Sequence, residues 1–389
     1  MKMKLGRICL SQMGAASIGG IAWSGWMPAI ALAVAMPIAV SLQKDRRAAF
    51  LTALGYYAGA SWPLMPGAKA FFGPNATWLE SALLWLTSSF LLALPFGIFW
   101  TNNIRMRPLG SFLALIAVTV PPIGLIGWAS PLTAAGVLIP GTAWLGLAAT
   151  LVLCSSTCAF PRFLATTAGL LFVIAQATYH HSAPPSSWQA IDTNFGAGFN
   201  ASDPRLELKI AETIQRIIRN SDSKVLIFPE MVIHRWNDAA EAFWQPTLAY
   251  ARNSDKTMLL GAGLSLPGCR QPYLNAVVIL GSHPAAPFIQ RIPVPIAMWK
   301  PFSRVDGVPL QSLGAGTAMV TDQRAAILIC YEQLLAWPFF ASAMERPGVL
   351  IGIANDYWAV KTPIPAIQNA CLHAWARSFK LPCISATNS

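Results

Sequence analysis

The chain has 389 residues, of which 54% are hydrophobic and only 11% charged, against roughly a quarter charged in an average soluble protein. That balance, with a mean hydropathy of +0.49 and 7 Cys, excludes a disordered chain, a collagen-like repeat and a small disulfide scaffold. The net charge of +11 is uneven: residues 1–180 hold ten basic and two acidic residues (Asp45 and Glu80), whereas residues 181–389 hold seventeen and fourteen. The excess sits in short clusters between apolar runs, where Lys and Arg set membrane topology, so nucleic-acid binding is not expected.

In chain order, apolar runs at about 8–23, 25–42, 48–65, 78–100, 110–128, 132–154 and 161–179 predict an α-helical transmembrane domain of about seven spans over 1–180. Pro37, Pro95, Pro121, Pro122 and Pro140 lie within or near these runs, which neighbouring helices can tolerate. Lys2, Lys4, Arg7, Lys44, Arg46, Arg47, Arg105, Arg107 and Arg162 all fall on one side of a seven-span topology, with Lys69 opposite. The positive-inside rule then predicts a multi-pass protein of a bacterial inner membrane with a cytoplasmic N-terminus and a periplasmic domain at 181–389. Trp23, Trp26, Trp62, Trp78, Trp100 and Trp128 cluster at the run ends as an interfacial belt. Ionisable residues are nearly absent from the run centres, which argues against a transporter.

After a polar linker at 180–187, short apolar runs alternate with amphipathic ones, an α/β rhythm. Strands are expected at 188–195, 225–228, 258–264, 274–280, 325–329 and 349–354, the third and fourth joined by a turn at Gly268 to Pro272. A helix capped by Ser202 and Asp203 is expected to end near Asn220, with further helices at 239–254 and 364–379. Polar residues then fall at three strand ends: Glu230, Cys330 with Glu332, and Asn355 with Asp356. Sites in α/β sheets gather at the carboxyl ends of strands. A cysteine there is a nucleophile if a base can take its proton, and Glu230 supplies one; a lone cysteine after a strand is equally a small buried hydrophobe.

Phe228-Pro229-Glu230 after one strand, a lysine in a later loop, and Cys330-Tyr331-Glu332 after another resemble the Glu-Lys-Cys triad of the nitrilase (carbon-nitrogen hydrolase) superfamily. Asn355-Asp356-Tyr357-Trp358 and Ala386-Thr387-Asn388 extend the match. The membrane half makes the chain similar to apolipoprotein N-acyltransferases, and its order of parts to the TraB family of conjugal-transfer proteins. The resemblance implies a nitrilase-like αββα sandwich with Glu230 as general base, Lys300 as the oxyanion-stabilising residue and Cys330 as thioester-forming nucleophile. In simple register Arg291 or its neighbour takes the place of the lysine, leaving Lys300 several residues late. Tyr331, Glu332, Asn355, Trp358 and Arg291 would bind substrate. The N-acyltransferases continue beyond the point that matches Ser389.

Two functions follow. One is acyl transfer or amide chemistry on a membrane lipid, a lipoprotein or a pilin-like peptide; the other is a non-catalytic scaffold within the conjugation machinery. No cofactor is implied, since Gly261-Ala262-Gly263 lacks the context of a dinucleotide loop. The five histidines, 180, 181, 234, 283 and 373, show no zinc-ligand spacing, so no metal is expected. Cys154 and Cys158 share a span face as core packing, and Cys269, Cys371 and Cys383 leave disulfide pairing open.

Overall fold

The computed structural model describes residues 2–73, 76–157, 159–196, 204–265, 273–301 and 307–389, with the side chains of 2–11 and 204 left aside. Ser202, Asp203, Cys158, Cys269 and the turn 268–272 therefore lie outside the described residues. The first half is helical: α1 (Lys2–Ala22), α2 (Ala35–Ser41), α3 (Arg46–Ser61), α4 (Leu64–Phe72), α5 (Trp78–Ile98), α6 (Arg107–Thr119), α7 (Ala135–Leu138), α8 (Ala143–Ser156) and α9 (Pro161–Thr178). The second half runs β1 (Trp188–Ala190), α10 (Pro204–Asn220), β2 (Val225–Ile227), β3 (Ile233–Trp236), α11 (Asp238–Asn253), β4 (Thr257–Ser265), β5 (Tyr273–Gly281) and β6 (Ala285–Ile289). It continues through β7 (Thr317–Val320), β8 (Gln323–Ile329), α12 (Ala336–Met344), β9 (Val349–Asn355), α13 (Ile364–Phe379) and β10 (Cys383–Asn388).

Contacts divide the chain into two compact units. One comprises 1–181 with 334–337 and 361–380; the other comprises 182–333, 338–360 and 381–389.

The first unit corrects the expectation of seven full spans. Among the described residues α5 alone is long and apolar enough to cross a membrane by length and composition; its 21 residues rise about 31 Å, and its most apolar 18-residue stretch has a mean hydropathy of 1.7. Elsewhere the predicted runs are broken. The run at 25–42 is a 3-10 helix, Met27–Val34, followed by short α2, and the run at 110–128 ends its helix at Thr119 before Pro121 and Pro122. The run at 132–154 splits around Pro140 and Gly141. Proline lacks the N–H that a continuing helix requires, so the hydropathy persists where the helix does not. Trp23, Trp100 and Trp128 are buried rather than belt-like, Trp23 donating to the Tyr56 hydroxyl at 2.8 Å, whereas Trp26, Trp62 and Trp78 are exposed.

Helix ends are fixed by side chains: Asp45 Oδ1 accepts from Ala48 N at the start of α3, and Thr77 with Glu80 forms a capping box on α5. α1 and α3 approach closely because Gly19, Gly55 and Gly59 present bare backbone to each other's helix; a Cβ at Gly59 would collide with Ala16. Helix α13 packs on α7 and α8, with Arg377 Nε donating to Gly136 O at 3.1 Å. Its place with the helices was not expected from the sequence, since it lies between two strands.

The second unit holds two sheets. One is ordered β1-β2-β4-β5-β6, with β3 also on β4; the other is β10-β9-β8-β7. β1, β2 and β4 are parallel, as are β8, β9 and β10, while β4, β5 and β6 form an antiparallel meander. The central parallel strands β2, β4, β8 and β9 are largely buried on both faces, which explains their continuous rather than alternating sequence. One face of the first sheet meets the second sheet through Val225, Ile227, Leu259, Ile327, Ile329, Ile351 and Ile353. Its other face is covered by α10 and α11 through Ile214, Ile218, Trp244 and Leu248. Each such side chain contributes about 1.5–3 kcal/mol by leaving water. α12 joins parallel β8 to β9, the crossover that parallel pairing requires. Strands β3, β7 and β10 were not anticipated, and the first expected strand is only Trp188–Ala190, with Thr193 adding an isolated bridge to Asn388.

Candidate active site

β2 is an apolar, fully buried strand that delivers Pro229-Glu230 at its carboxyl end, and β8 delivers Cys330 in the same way. Gly261 on β4 runs directly beneath Glu230; a Cβ there would collide with Pro229 O and Glu230 Cα, so the close approach requires glycine. Cys330 has φ +51°, the left-handed region that a side chain rarely adopts, where β8 turns into the short 3-10 segment Cys330–Leu334. Such conformations persist only where the surroundings impose them. Glu332 holds this turn, its Oε2 accepting from Ile329 N at 3.0 Å, and Gln333 Nε2 donates to Ile353 O at 3.0 Å.

Glu230 and Cys330 meet. The thiol hydrogen-bonds to the Glu230 carboxylate and receives the backbone N–H of Tyr331. Glu230 Oε1 accepts from Asn275 Nδ2 at 2.6 Å and Oε2 from Asn355 N at 3.0 Å. Asn275 Nδ2 also donates to Gln290 Oε1 at 3.0 Å, and Gln290 Nε2 donates to Ile329 O at 3.1 Å, closing a buried network beside the thiol. Asn355 accepts from Asn388, which in turn accepts from Thr193, so β9 and β10 share one polar seam with the residues after β1. Asp356 is 3% exposed and close enough to act electrostatically on both Glu230 and Cys330.

Burial, partly offset by the hydrogen bonds from Asn275 and Cys330, pushes the Glu230 carboxyl up to about 7. Burial and the charge of Glu230 push Asp356 up to about 7 as well. The Cys330 thiol is raised by burial, then by Glu230 and Asp356. Among the described residues no lysine or arginine is among the charges acting on Glu230, Cys330 or Asp356. The cluster is a thiol between two acids whose proton affinities lie near neutrality, suited to passing protons to and from sulfur.

The other expected residues are distributed differently. Lys300 is exposed after the loop 294–299. Arg291 does not face the thiol: it is 1% exposed, its Nη1 donating to Pro338 O and Ser342 Oγ, both at 3.0 Å, and its Nε lying 3.4 Å from Glu332 Oε1. Glu332 is turned to the same buried pair, accepting also from Arg291 N at 2.8 Å and Ile292 N at 3.1 Å. Its oxygens are thereby occupied by the fold rather than offered to a substrate. Tyr331 and Trp358 are half-buried, the latter in the turn after Asp356. Asn275 and Gln290 were missed, although an amide in the apolar run Leu274 to Leu280 is a signal: buried unpaired it is costly, so it marks a polar network.

No family model matches the chain. Its fold is loosely similar to a mutant of the amidase from Nesterenkonia sp. AN1 that shows covalent addition of the acetamide moiety of fluoroacetamide at its active-site cysteine (TM-score 0.39, 13% identity, 54% of this chain and 79% of that one). It is similarly loosely related to a carbon-nitrogen hydrolase from Helicobacter pylori G27 (TM-score 0.37, 13% identity, 51% and 72%). In sequence it is 32% identical over 385 residues to a probable conjugal transfer protein TraB of Sinorhizobium fredii, covering 96% of each chain. It is 28% identical over 400 residues to the conjugal transfer protein TraB of Agrobacterium fabrum, covering 98% of this chain and 93% of that one. At such identity over nearly the whole length, this chain belongs to the TraB family of conjugal transfer proteins.

Proposed function

We propose that the chain is a membrane-anchored thiol enzyme of conjugal transfer that moves an acyl group, or opens an amide, through a thioester on Cys330. The observation that carries this reading is the hydrogen bond between the Cys330 thiol and a buried Glu230 whose carboxyl titrates near neutrality. As a carboxylate, Glu230 takes the Sγ proton while the Tyr331 N–H steadies the thiolate. Sulfur attacks the acyl carbon, and the departing amine or alcohol receives the proton from Glu230. Water or an amine then attacks the thioester, Glu230 takes the incoming proton, and the C–S bond breaks as that proton returns to sulfur. The motif resemblance to carbon-nitrogen hydrolases supports the same roles. Membrane anchoring is supported by α5 and by outward-facing Leu79, Leu83, Leu86 and Phe90 on it and Phe163, Leu170 and Val173 on α9. The reading places the chain at the bacterial inner membrane and takes a lipid, lipoprotein or peptide near that membrane as substrate.

The test is intact-mass spectrometry of the full-length protein in detergent after incubation with phospholipid vesicles, with and without hydroxylamine. A hydroxylamine-labile acyl adduct on wild type and none on Cys330→Ser is the expected result. No adduct on folded protein with a titratable thiol removes the lipid donor. A second reading, a non-catalytic component of the apparatus, is favoured by the charges acting on Glu230, Cys330 and Asp356, which include no lysine or arginine among the described residues. It predicts unchanged conjugation frequency with Cys330→Ala at normal abundance, the outcome that would reject the enzyme.

A further inference from the structure

The polar network around Cys330 is complete on one side and open on the other. Both Glu230 oxygens, the Asn275 amide nitrogen and both ends of Gln290 are engaged. Two buried oxygens are not: Asn275 Oδ1, on a residue with 0% exposure, and Asp356 Oδ1, on a residue with 3%. Leaving a buried acceptor unpaired costs about 1–3 kcal/mol, more for a charged group, so each oxygen can accept a hydrogen bond from a bound group. No unpartnered donor stands opposite them on Glu230, Gln290 or Asn355, and no cation acts on Asp356 among the described residues. The unmet demand is therefore for hydrogen-bond donors, and a donor that also carries positive charge would offset the burial of the Asp356 carboxylate.

We propose that Asp356 is a substrate-contacting residue whose free Oδ1 holds a protonated primary amine beside Cys330. Asn275 Oδ1 supplies a second acceptor on the same polar network. The main chain of Asp356 is fixed for this task, its N–H donating to Asn388 O at 2.8 Å and its carbonyl accepting from Ala359 N at 2.8 Å. Asp356 thus differs in role from Glu230, whose oxygens are already occupied. Burial and Glu230 both disfavour its charged form, and an ammonium in contact would reverse that, so amine binding and ionisation of Asp356 reinforce each other. The inference rests on the reading of Cys330 as the reacting centre, and it names the cationic side of the substrate.

The experiment follows the rate at which methyl methanethiosulfonate, a neutral reagent with no N–H, modifies Cys330 in the full-length protein, read on the Cys330 peptide by mass spectrometry. Hexylammonium, hexanol and hexanoate are the probes, so that chain length is constant and only the head group changes. Hexylammonium at ten times its Kd should slow modification about tenfold, with hexanol and hexanoate weaker. Asp356→Asn should bring hexylammonium down to the level of hexanol. Equal protection by the three probes, or full hexylammonium protection retained in Asp356→Asn, overturns the proposal. If that variant does not fold, the contrast among the probes on wild type still decides. Protection needs no turnover, so it survives if Cys330 never carries an acyl group. Conversely, an acyl adduct formed without amine selectivity rejects this inference and leaves the enzyme reading intact.

Discussion

Glu332 and Glu230 are buried carboxylates at strand ends of the same unit, and they are satisfied in opposite ways. Glu332 collects three backbone N–H groups, those of Ile329, Arg291 and Ile292, and has the Arg291 guanidinium 3.4 Å away. Glu230 has one amide, one backbone N–H and a thiol, with no cation, and its proton affinity rises to about 7. The first has a guanidinium beside it and holds the turn that carries the nucleophile; the second has no cation, takes one of its hydrogen bonds from the thiol itself, and can exchange a proton with it. Two acids alike in the sequence, with three hydrogen-bond donors each, are told apart by what the donors are and by the cation beside one of them, which separates scaffold from chemistry in this unit.

The comparison breaks most sharply by substitution. Glu230→Gln keeps the shape and removes the base, and should slow formation of the Cys330 acyl adduct about 10²–10⁴-fold, measured as adduct mass against time. A variant as fast as wild type would mean that the thiol is deprotonated by another group. Glu332→Ala should leave Arg291 buried without its carboxylate and cost about 3–5 kcal/mol, read as a lowered denaturant midpoint of the purified protein. If stability holds while adduct formation is lost, Glu332 belongs to the chemistry after all.

Proton linkage sharpens the contrast further. Glu230 ordinarily titrates at 4.5 and Asp356 at 3.8, and both are raised to about 7 by burial. The folded chain therefore binds these protons more tightly than the unfolded one. Their contribution to stability is full below the ordinary values and is lost as pH rises through about 7. Melting should be lower at pH 8.5 than at pH 5.5 by at least about 3 °C, and Glu230→Gln should narrow the gap. Adduct formation should run the other way, rising with pH as Glu230 ionises. Lys300→Ala should have the smallest effect, within about 0.5 kcal/mol in stability, with adduct formation changed less than threefold. A large loss there would bring Lys300 back to the oxyanion.

Much of the second unit was legible because its elements obey local rules. The apolar runs ending in Glu230, Cys330 and Asn355 are buried parallel strands, which the sequence marks by unbroken hydrophobicity. The amphipathic stretch ending at Asn220 is a helix by the spacing of Ile210, Ile214 and Ile218. β3 and β7 are four residues each, too short to carry a pattern. The first unit was misread in extent because hydropathy reports environment and not hydrogen bonding, and it runs unbroken through Pro121, Pro122 and Pro140. Within the site, Glu230 and Cys330 were visible as polar residues closing apolar strands. Asn275 was hidden in mid-strand, and the fates of Arg291 and Glu332 depend on which backbone groups the fold leaves unpaired.

The path of the chain limits how this protein can be handled. After β9 the chain leaves the sheet unit, contributes α13 to the helical unit, and returns as β10 alongside β9. A fragment starting after the linker would expose Ile367, Leu372 and Trp375 of α13, all buried in the whole protein, and would be expected to aggregate. The sheet unit is therefore not a contiguous stretch of sequence that a simple truncation isolates. Any assay therefore begins from the full chain.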